Sequence, residues 1–523
     1  MKEIKKDIGK ETYDKIYPSG SNPGKFYGTA KIHKLSEDDE KSMMNVDKLP
    51  LRPIVSNIGT ATYKTSQYLA NLLTPLGTSK YTVTSTKEFI SKLKKVTPPE
   101  NYQMISFDVV SLFTNVPLQK TIDIIIRKVY SEKLIKTKIK ADKLRTLLLL
   151  CTKEGHFTFN NEMYQQVDGV MMGSPLGSLI ANIYMSELET SLIPKLEDKV
   201  KCWTRYVDDT FAFIKPNAIV DVQNILNTFD TKIQFTHEVE QERKITFLDV
   251  QIERTGNNKL ETSVYRKKTN NNIYMNWFSY SPRSWKIGTL RNLIKRAIMI
   301  SSTKRLLEDE LNHLRKVFHV INHYPYNVIK SIIDDELEKH HQSNMQSDTE
   351  NQPSTPPPEE PYEQQLIQLN LPFGGEKGQN LIKKLKQNIE TTCRDKIRIR
   401  VTYTPCKLGS KFQVKDKTKF EHRHNITYHT KCTNKKCRFH YVGKTKCRIA
   451  KRTLQHNSKD KASHVFNHSK EKKHRRVTIK DVKILGTGYK SNFKRRISEA
   501  LYIKEHKPDL NKQKDSFKLK LFN

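Results

Sequence analysis

Residues 202–214 read CWTRYVDDTFAFI, an apolar run interrupted by two adjacent carboxylates, Asp208 and Asp209. An ordinary strand holds Val or Ile at such positions. A carboxylate left unpaired in apolar surroundings is strongly disfavoured, so the pair calls for an arginine partner, a raised pKa or a divalent cation, although a hairpin tip would also hold it. A third acid, Asp108, follows the apolar part of YQMISFDVVSLFTNVP (residues 102–117), again at the end of an expected strand. Three such acids suggest a two-metal phosphoryl-transfer site. One ion would lower the pKa of an attacking 3′-hydroxyl and the other would hold a triphosphate leaving group, the two lying roughly 3.5–4 Å apart.

The chain has 523 residues, too many for one hydrophobic core. Its formal charge of +37 repels itself unless an anionic polymer or surface neutralises it. The charge is uneven: residues 401–523 hold 34 Lys and Arg against 9 Asp and Glu, a surplus of 25, which reads as a nucleic-acid-binding domain. There is no apolar run long enough to span a bilayer and no signal-peptide pattern in MKEIKKDIGK, so a soluble intracellular chain without a membrane partner is expected. Seven cysteines, five of them after residue 390, argue for reduced thiols and a metal site rather than a disulfide framework.

Strand-like and helical runs alternate over residues 17–286, as in a compact α+β unit. Residues 287–341 carry amphipathic helical spacing. Residues 342–365, rich in Pro, Ser, Thr, Gln and Glu, read as a disordered linker, followed by a short helical connector over residues 378–394.

Several of these segments, in order, resemble a reverse transcriptase of the Penelope-like retroelement class: FYGTAKIHK and LRPIVSNIGTATYKTSQYLANLL its fingers, SFDVVSLFTNVP and RYVDDTFAFI its two catalytic motifs, and GVMMGSPLGSLIANIYMSELE its template-and-nucleotide motif. FLDVQIER and TSVYRKKTNNNIYMNWFSYSP are similar to the blocks that lead into its thumb. The resemblance implies a right-hand polymerase, with fingers and an antiparallel palm sheet over residues 1–286, a helical thumb over 287–341, and a linker and connector over 342–400. It implies two Mg²⁺ ions on Asp108, Asp208 and Asp209, with Asp209 the more peripheral ligand. Phe113 would lie under the sugar and exclude a 2′-hydroxyl. Arg52, with Lys31, would clamp the dNTP triphosphate. Gly173, Ser174, Pro175 and Gly177 would let the backbone pass close to template and base; Met172 stands where many reverse transcriptases carry Gln. Tyr265, Arg266 and Lys267 would lie near the DNA primer. The chain begins almost at the fingers, so an N-terminally truncated copy is one expectation.

Residues 401–523 resemble a GIY-YIG endonuclease, the partner domain of that class. ITY, ending in Tyr428, stands for the first tyrosine motif with Ile426 and Thr427 where Gly and Ile are usual, and YVG opens at Tyr441. Arg452 and His456 share one face of an expected helix. By resemblance Glu499 would bind a single Mg²⁺ and Arg452 would stabilise a pentacoordinate phosphate, with Asn511 completing the set. Cys432 and Cys437, with His468 and His474, offer a closed tetrahedral zinc site, His464 being the alternative ligand, while Cys393, Cys406 and Cys447 stay unassigned. The implied activity is nicking of target DNA followed by copying of the element's own RNA transcript from the new 3′ end, in the nucleus. A telomerase-like enzyme that extends existing DNA ends, its C-terminal domain only binding DNA, is a second expectation. A domesticated RNA- and DNA-binding protein without catalysis is a third.

Overall fold

The computed structural model describes residues 2–18, 21–31, 50–347, 365–393, 397–405, 415–434, 436–458, 463–471, 474–489 and 491–511. The chain divides into two compact units that it crosses repeatedly: Met1–Ser79, Ser111–Glu187 and Val414–Asn523 form one, Lys80–Val110 and Leu188–Gln413 the other.

In the first unit β1 (Gly24–Ala30) pairs antiparallel with β2 (Leu51–Ser56). On its other edge β1 pairs parallel with β4 (His156–Phe159), which forms a hairpin with β5 (Glu162–Gln165). Helices Tyr63–Leu73, Leu118–Ile126 and Ala141–Thr152 turn inward the leucines and isoleucines spaced three and four apart, among them Leu69, Leu73, Ile122, Ile125, Leu144 and Leu148. A second sheet in this unit has β14 (Ile426–Lys431) between β15 (His440–Thr445) and β16 (Val482–Gly486), all antiparallel. Its small core joins Ile426, Tyr428, Ile449, Val465, Val477 and Val482. Helix Asn492–His506 packs on β14 and β15.

The second unit is built on an antiparallel sheet of order β6-β7-β3-β8, with β3 at Gln103–Val109, β6 at Val200–Tyr206, β7 at Asp209–Ile214 and β8 at Phe235–Val239. Phe211 and Phe213, two apart and so on one face, pack with Phe89, Ile90 and Leu93 of helix Thr86–Leu93. The same core takes Ile245 and Phe247 from β9 (Lys244–Phe247) and Val250 and Ile252 from β10 (Val250–Arg254), strands that sheet with β11 (Leu260–Val264). Helices Arg283–Ile300, Lys304–Lys316 and Tyr326–Ser347 enclose a core of their own around Leu290, Ile294, Leu314, Phe318 and Ile333.

Three sequence boundaries need correction. Helix Arg283–Ile300 runs across the expected 286/287 division, and helix Tyr326–Ser347 runs across 341/342. In the 342–400 segment, residues 348–364 and 394–396 lie outside the described residues, but the remainder is not only a connector. β12 (Gln365–Pro372) pairs parallel with β13 (Ile397–Thr404) on either side of helix Gly375–Thr392. The 400/401 boundary therefore cuts a strand. No helix among the described residues is long and apolar enough to cross a membrane.

Candidate active site

β6 and β7 form a hairpin closed by the pair Tyr206 and Asp209, so Val207 and Asp208 are its two turn residues. Asp208 therefore sits in the hairpin turn, and Asp209 is the first residue of β7. The tip lies directly beside the end of β3. Asp108 is registered opposite Asp209, and the Val109 amide donates to the Asp208 carbonyl at 3.3 Å. Residues facing each other across antiparallel strands have Cβ atoms about 4.5–5.5 Å apart, and a one-residue slip would send a carboxylate to the other face. The register thus brings all three acids together.

Their crowding has an electrostatic signature. Burial first, then the Asp208 and Asp108 carboxylates, push Asp209 up from 3.8 to about 6, and Lys267 opposes them. Lys267 is the exposed cation of this group, and its placement beside the acids rather than on a remote basic loop was not evident from the sequence.

Val207 has φ 58°, a left-handed conformation that costs a β-branched residue about 1–3 kcal/mol. Arg205 holds it there. Its guanidinium is 0% exposed, donates to the Val207 carbonyl at 3.0 Å, and forms an ion pair with Glu189, Nε to Oε1 2.6 Å and Nη2 to Oε2 3.2 Å. Trp203 Nε1 donates to the same Glu189 oxygen at 3.1 Å. The Arg205 backbone is also tied to the neighbouring segment, donating to the Tyr81 carbonyl at 2.8 Å and accepting from the Val83 amide at 2.9 Å. Neither Glu189 nor Arg205 was singled out from the sequence; a lone acid in the apolar helix IANIYMSELETSL was the available signal.

Arg266, expected near the primer, is instead committed to Glu310 through both guanidinium nitrogens, Nη1 at 2.7 Å from Oε2 and Nη2 on Oε1. The half-buried Arg266 and the buried Glu310 thus satisfy each other. The half-buried Tyr265 donates its amide to the Asp249 carbonyl at 2.9 Å.

The nucleotide-binding candidates gather in the first unit. Arg52 is exposed on β2 opposite Thr29, and Lys31 donates its amide to the Pro50 carbonyl at 2.8 Å just beyond β1, so both side chains fall on one sheet face. Gly173 has φ 113°, and a Cβ there would lie 2.5 Å from the Val55 carbonyl oxygen of β2. Only glycine permits that approach. Phe113, half-buried in the short helix Leu112–Asn115, accepts the Val170 amide at 2.7 Å, which ties it to the same glycine loop.

A second constellation in that unit joins Tyr428, Tyr441, Arg452, His456 and Glu499. The buried Tyr428 hydroxyl lies 2.5 Å from His456 Nε2 and accepts from Arg452 Nε at 3.1 Å. Burial and the Arg452 charge lower His456 to about 3, so it is neutral; its Nδ1 lies 3.1 Å from Ser463 Oγ. The pattern is self-consistent: Arg452 donates to Tyr428, Tyr428 to His456, and His456 to Ser463. Burial pushes the Tyr428 phenol far up. A Cβ at Gly443 would meet the Tyr441 ring at 2.5 Å and the Tyr428 hydroxyl at 2.8 Å, so glycine is what lets the tyrosines converge. Glu499 is ion-paired with Lys444 rather than open to a cation. Asn511 clamps β15: its Oδ1 accepts the Val442 amide at 2.9 Å and its Nδ2 donates to the Val442 carbonyl at 2.8 Å.

Cys432, Cys437, His468 and His474 bring one ligand atom each within 4.8 Å of one another, with Cys432 Sγ 3.1 Å from His474 Nδ1 and Cys437 Sγ 3.4 Å from His468 Nε2. His464 is not in this group. Cys393 and Cys447 are free thiols, and Cys406 lies outside the described residues.

An antiparallel sheet that sets three carboxylates at one end belongs to the polymerase class of folds. Residues 50–256 match the family model described as reverse transcriptase (RNA-dependent DNA polymerase), and the chain carries a reverse transcriptase domain. Residues 273–334 match an animal helix-turn-helix domain. No curated protein matches the chain. Solved structures similar to it include apo telomerase from Candida tropicalis truncated from its C-terminal domain (14% identity, 39% of this chain and 51% of that one, TM-score 0.31). Telomerase from Candida albicans in complex with a fragment of telomeric RNA is another (13%, 68% and 70%, 0.39). A third is the RNA-dependent RNA polymerase of a human picobirnavirus (13%, 58% and 57%, 0.37). The chain thus spans 51% and 70% of the length of these two telomerase chains.

Two outcomes are expected. Glu189→Gln leaves Arg205 buried against a neutral partner, which costs about 3–5 kcal/mol and loosens the guanidinium that holds the Val207 carbonyl; the second unit then melts earlier, and primer extension falls even below the melting point. Normal extension in that variant would show the turn is held otherwise. The second concerns pH. A raised carboxyl pKa stabilises the fold in its protonated form, so the metal-free protein loses that contribution as pH rises from 3.8 to about 6. Magnesium needs the anion, so its affinity by calorimetry rises over the same interval and levels off above it, and Asp209→Asn removes the dependence.

Proposed function

We propose that the chain is the replicative enzyme of a Penelope-like retroelement, an RNA-directed DNA polymerase joined to a GIY-YIG endonuclease, which nicks target DNA and copies the element's RNA from the resulting 3′ end. The observation that carries the polymerase part is the β3–β7 register, which stands Asp108 opposite Asp209 and beside Asp208. Burial first, then crowding by Asp208 and Asp108, raises Asp209 toward neutrality, and a non-catalytic binder of phosphate backbones gains nothing from an anionic trio, so the site fits a hard divalent cation with oxygen ligands. The three aspartates would hold two Mg²⁺ ions, which supply Lewis-acid stabilisation of the reacting phosphate and activation of a primer 3′-hydroxyl. The protein's own part is positional. Arg205 and Glu189 fix the turn, Lys267 offsets surplus negative charge, Lys31 and Arg52 meet the dNTP triphosphate, and Phe113 excludes a ribose 2′-hydroxyl.

In the C-terminal domain, neutral His456 accepts from Tyr428 while Arg452 supplies positive charge beside both tyrosines, an arrangement suited to a phosphate in displacement. Glu499 would hold one Mg²⁺ once Lys444 moves aside. Two thiolates and two imidazoles fit a structural Zn²⁺ that staples a domain with a small core. The Lys444–Glu499 pair also favours a second reading, in which this domain only binds DNA and the polymerase extends existing ends. Work on chromosomal DNA implies the nucleus.

With Mg²⁺, an RNA template, an annealed DNA primer and dNTPs, the purified chain extends the primer, and Asp208→Asn lowers the rate at least a thousandfold while binding of primer–template is kept; no product under any metal or salt condition sinks the polymerase proposal. The nuclease is read separately on supercoiled plasmid. The wild-type chain carries about one zinc by metal analysis and nicks the plasmid, and Glu499→Gln abolishes nicking with zinc retained, whereas Cys432→Ser loses both. Absence of nicking in the zinc-loaded wild-type chain favours the end-extending enzyme.

A further inference from the structure

In the second unit, β11 and the residues that follow it are stitched to the helices at three points. Thr262 donates its hydroxyl to the Ile300 carbonyl at 2.6 Å and its amide to Ser302 Oγ at 2.9 Å, and accepts the Ser302 amide at 3.0 Å. Tyr265 accepts from Arg296 Nη2 at 3.2 Å through its carbonyl, while its amide donates to the Asp249 carbonyl at 2.9 Å. Arg266 is held by Glu310 of helix Lys304–Lys316 through both guanidinium nitrogens. Arg296 belongs to helix Arg283–Ile300, which serves two cores: Leu290, Ile294 and Ala297 pack among the helices, and Ile300 packs with Phe211, Phe213 and Phe247.

Arg296 has a second hold. Its Nε lies 2.6 Å from Asp249 Oδ2, and Asp249 Oδ1 accepts from Thr86 Oγ1 at 2.8 Å. Asp249 and Leu248 are the two turn residues between β9 and β10, and Leu248 has φ 58°, left-handed backbone that a leucine adopts only where its surroundings over-determine it. Arg296 and Asp249 are both partly exposed, so their ion pair adds little stability. What it adds is geometry: one guanidinium fixes the turn and the Tyr265 carbonyl together.

The next cation in the chain is Lys267. Its carbonyl accepts the Asn270 amide at 2.9 Å, which closes a turn, and its exposed side chain makes no hydrogen bond or ion pair with a described residue, although its charge reaches Asp209. A lysine ammonium on a flexible four-carbon stem has no preferred site of its own. Where it stands is set by the backbone that bears it.

We propose that Arg296 and Glu310 are positioning residues of the polymerase: through Tyr265 and Arg266 they hold the Lys267 ammonium at the end of the sheet where the carboxylates meet, as a phosphate contact for the primer–template duplex. The proposal rests on the polymerase reading, which is what brings a primer–template to this place. Its test uses no turnover, so the two can fail separately.

Binding of the full chain to a labelled primer–template duplex is read by fluorescence anisotropy over a salt series without divalent metal. Lys267→Gln should lower the log–log salt slope by about 0.9, one phosphate contact. Arg296→Gln should lower it by the same amount, and Lys267→Gln/Arg296→Gln by no more, because Arg296 acts through Lys267. Arg296→Lys, which keeps the charge beside Asp249, should recover at least half of the loss. In the free protein, hydrogen exchange at the Tyr265 amide should quicken at least tenfold in Arg296→Gln and in Glu310→Gln and stay as in the wild type in Lys267→Gln. If Arg296→Gln does not fold, Asp249→Asn, which loosens Arg296 without removing it, is read in the same way. An unchanged slope in either single variant overturns the proposal, as does a fall of about 1.8 in the double variant, the mark of two independent phosphate contacts. Unchanged exchange in Arg296→Gln or in Glu310→Gln overturns it too. A wild-type chain that binds the duplex but does not extend it sinks the polymerase reading alone.

Discussion

Everything chemical in the second unit depends on the pairing of β3 with β7 and on the turn that precedes β7. Strand periodicity is two, so the face on which Asp108 and Asp209 appear is set by register alone. The core fixes that register from the same face, further along β7: Phe211 and Phe213 point into a packed aromatic group with Phe89 and Phe247, and a one-residue slip would turn them out of it. Hydrophobic packing thereby places charge, although none of the packed residues carries any.

The turn itself is an unfavourable local structure. It holds a valine in left-handed backbone and an aspartate among like charges, and it persists because a fully buried arginine–glutamate pair over-determines it. Buried ion pairs contribute little net stability, since desolvation offsets most of the attraction, but they have a strict geometry. Here that geometry is transmitted to the Val207 carbonyl and so to Asp208. Stability is exchanged for a fixed geometry at the end of the sheet where the three carboxylates meet.

The C-terminal domain solves the same problem with different means. Its apolar core is small, and the tyrosines, His456 and Arg452 that meet there are themselves much of the packing. A hydrogen-bonded chain from Arg452 to Ser463 orders the polar atoms, while the thiol–imidazole group ties the far end of β14 to the helix His464–Glu471 and the segment after it. Asn511, bonded to the backbone amide and carbonyl of Val442 in β15, extends that strand's pairing.

Sequence by itself determined the identity of the groups. Acids at the ends of apolar runs, a glycine loop, paired thiols with histidines downstream and a basic last quarter are all local chemistry, legible because residue type and spacing along one element survive folding. Which of these groups remain available was decided only in three dimensions, because pairing depends on neighbours distant in the chain. Glu310 takes Arg266, Lys444 takes Glu499, and of three candidate histidines only His468 and His474 approach Cys432 and Cys437. The parallel pairing of β12 with β13 escaped notice for the same reason: each strand's partner lies beyond a helix. Glu189 and Arg205 are the clearest instance, unremarkable one at a time in the sequence and, once buried against each other, the support of the turn that carries the chemistry.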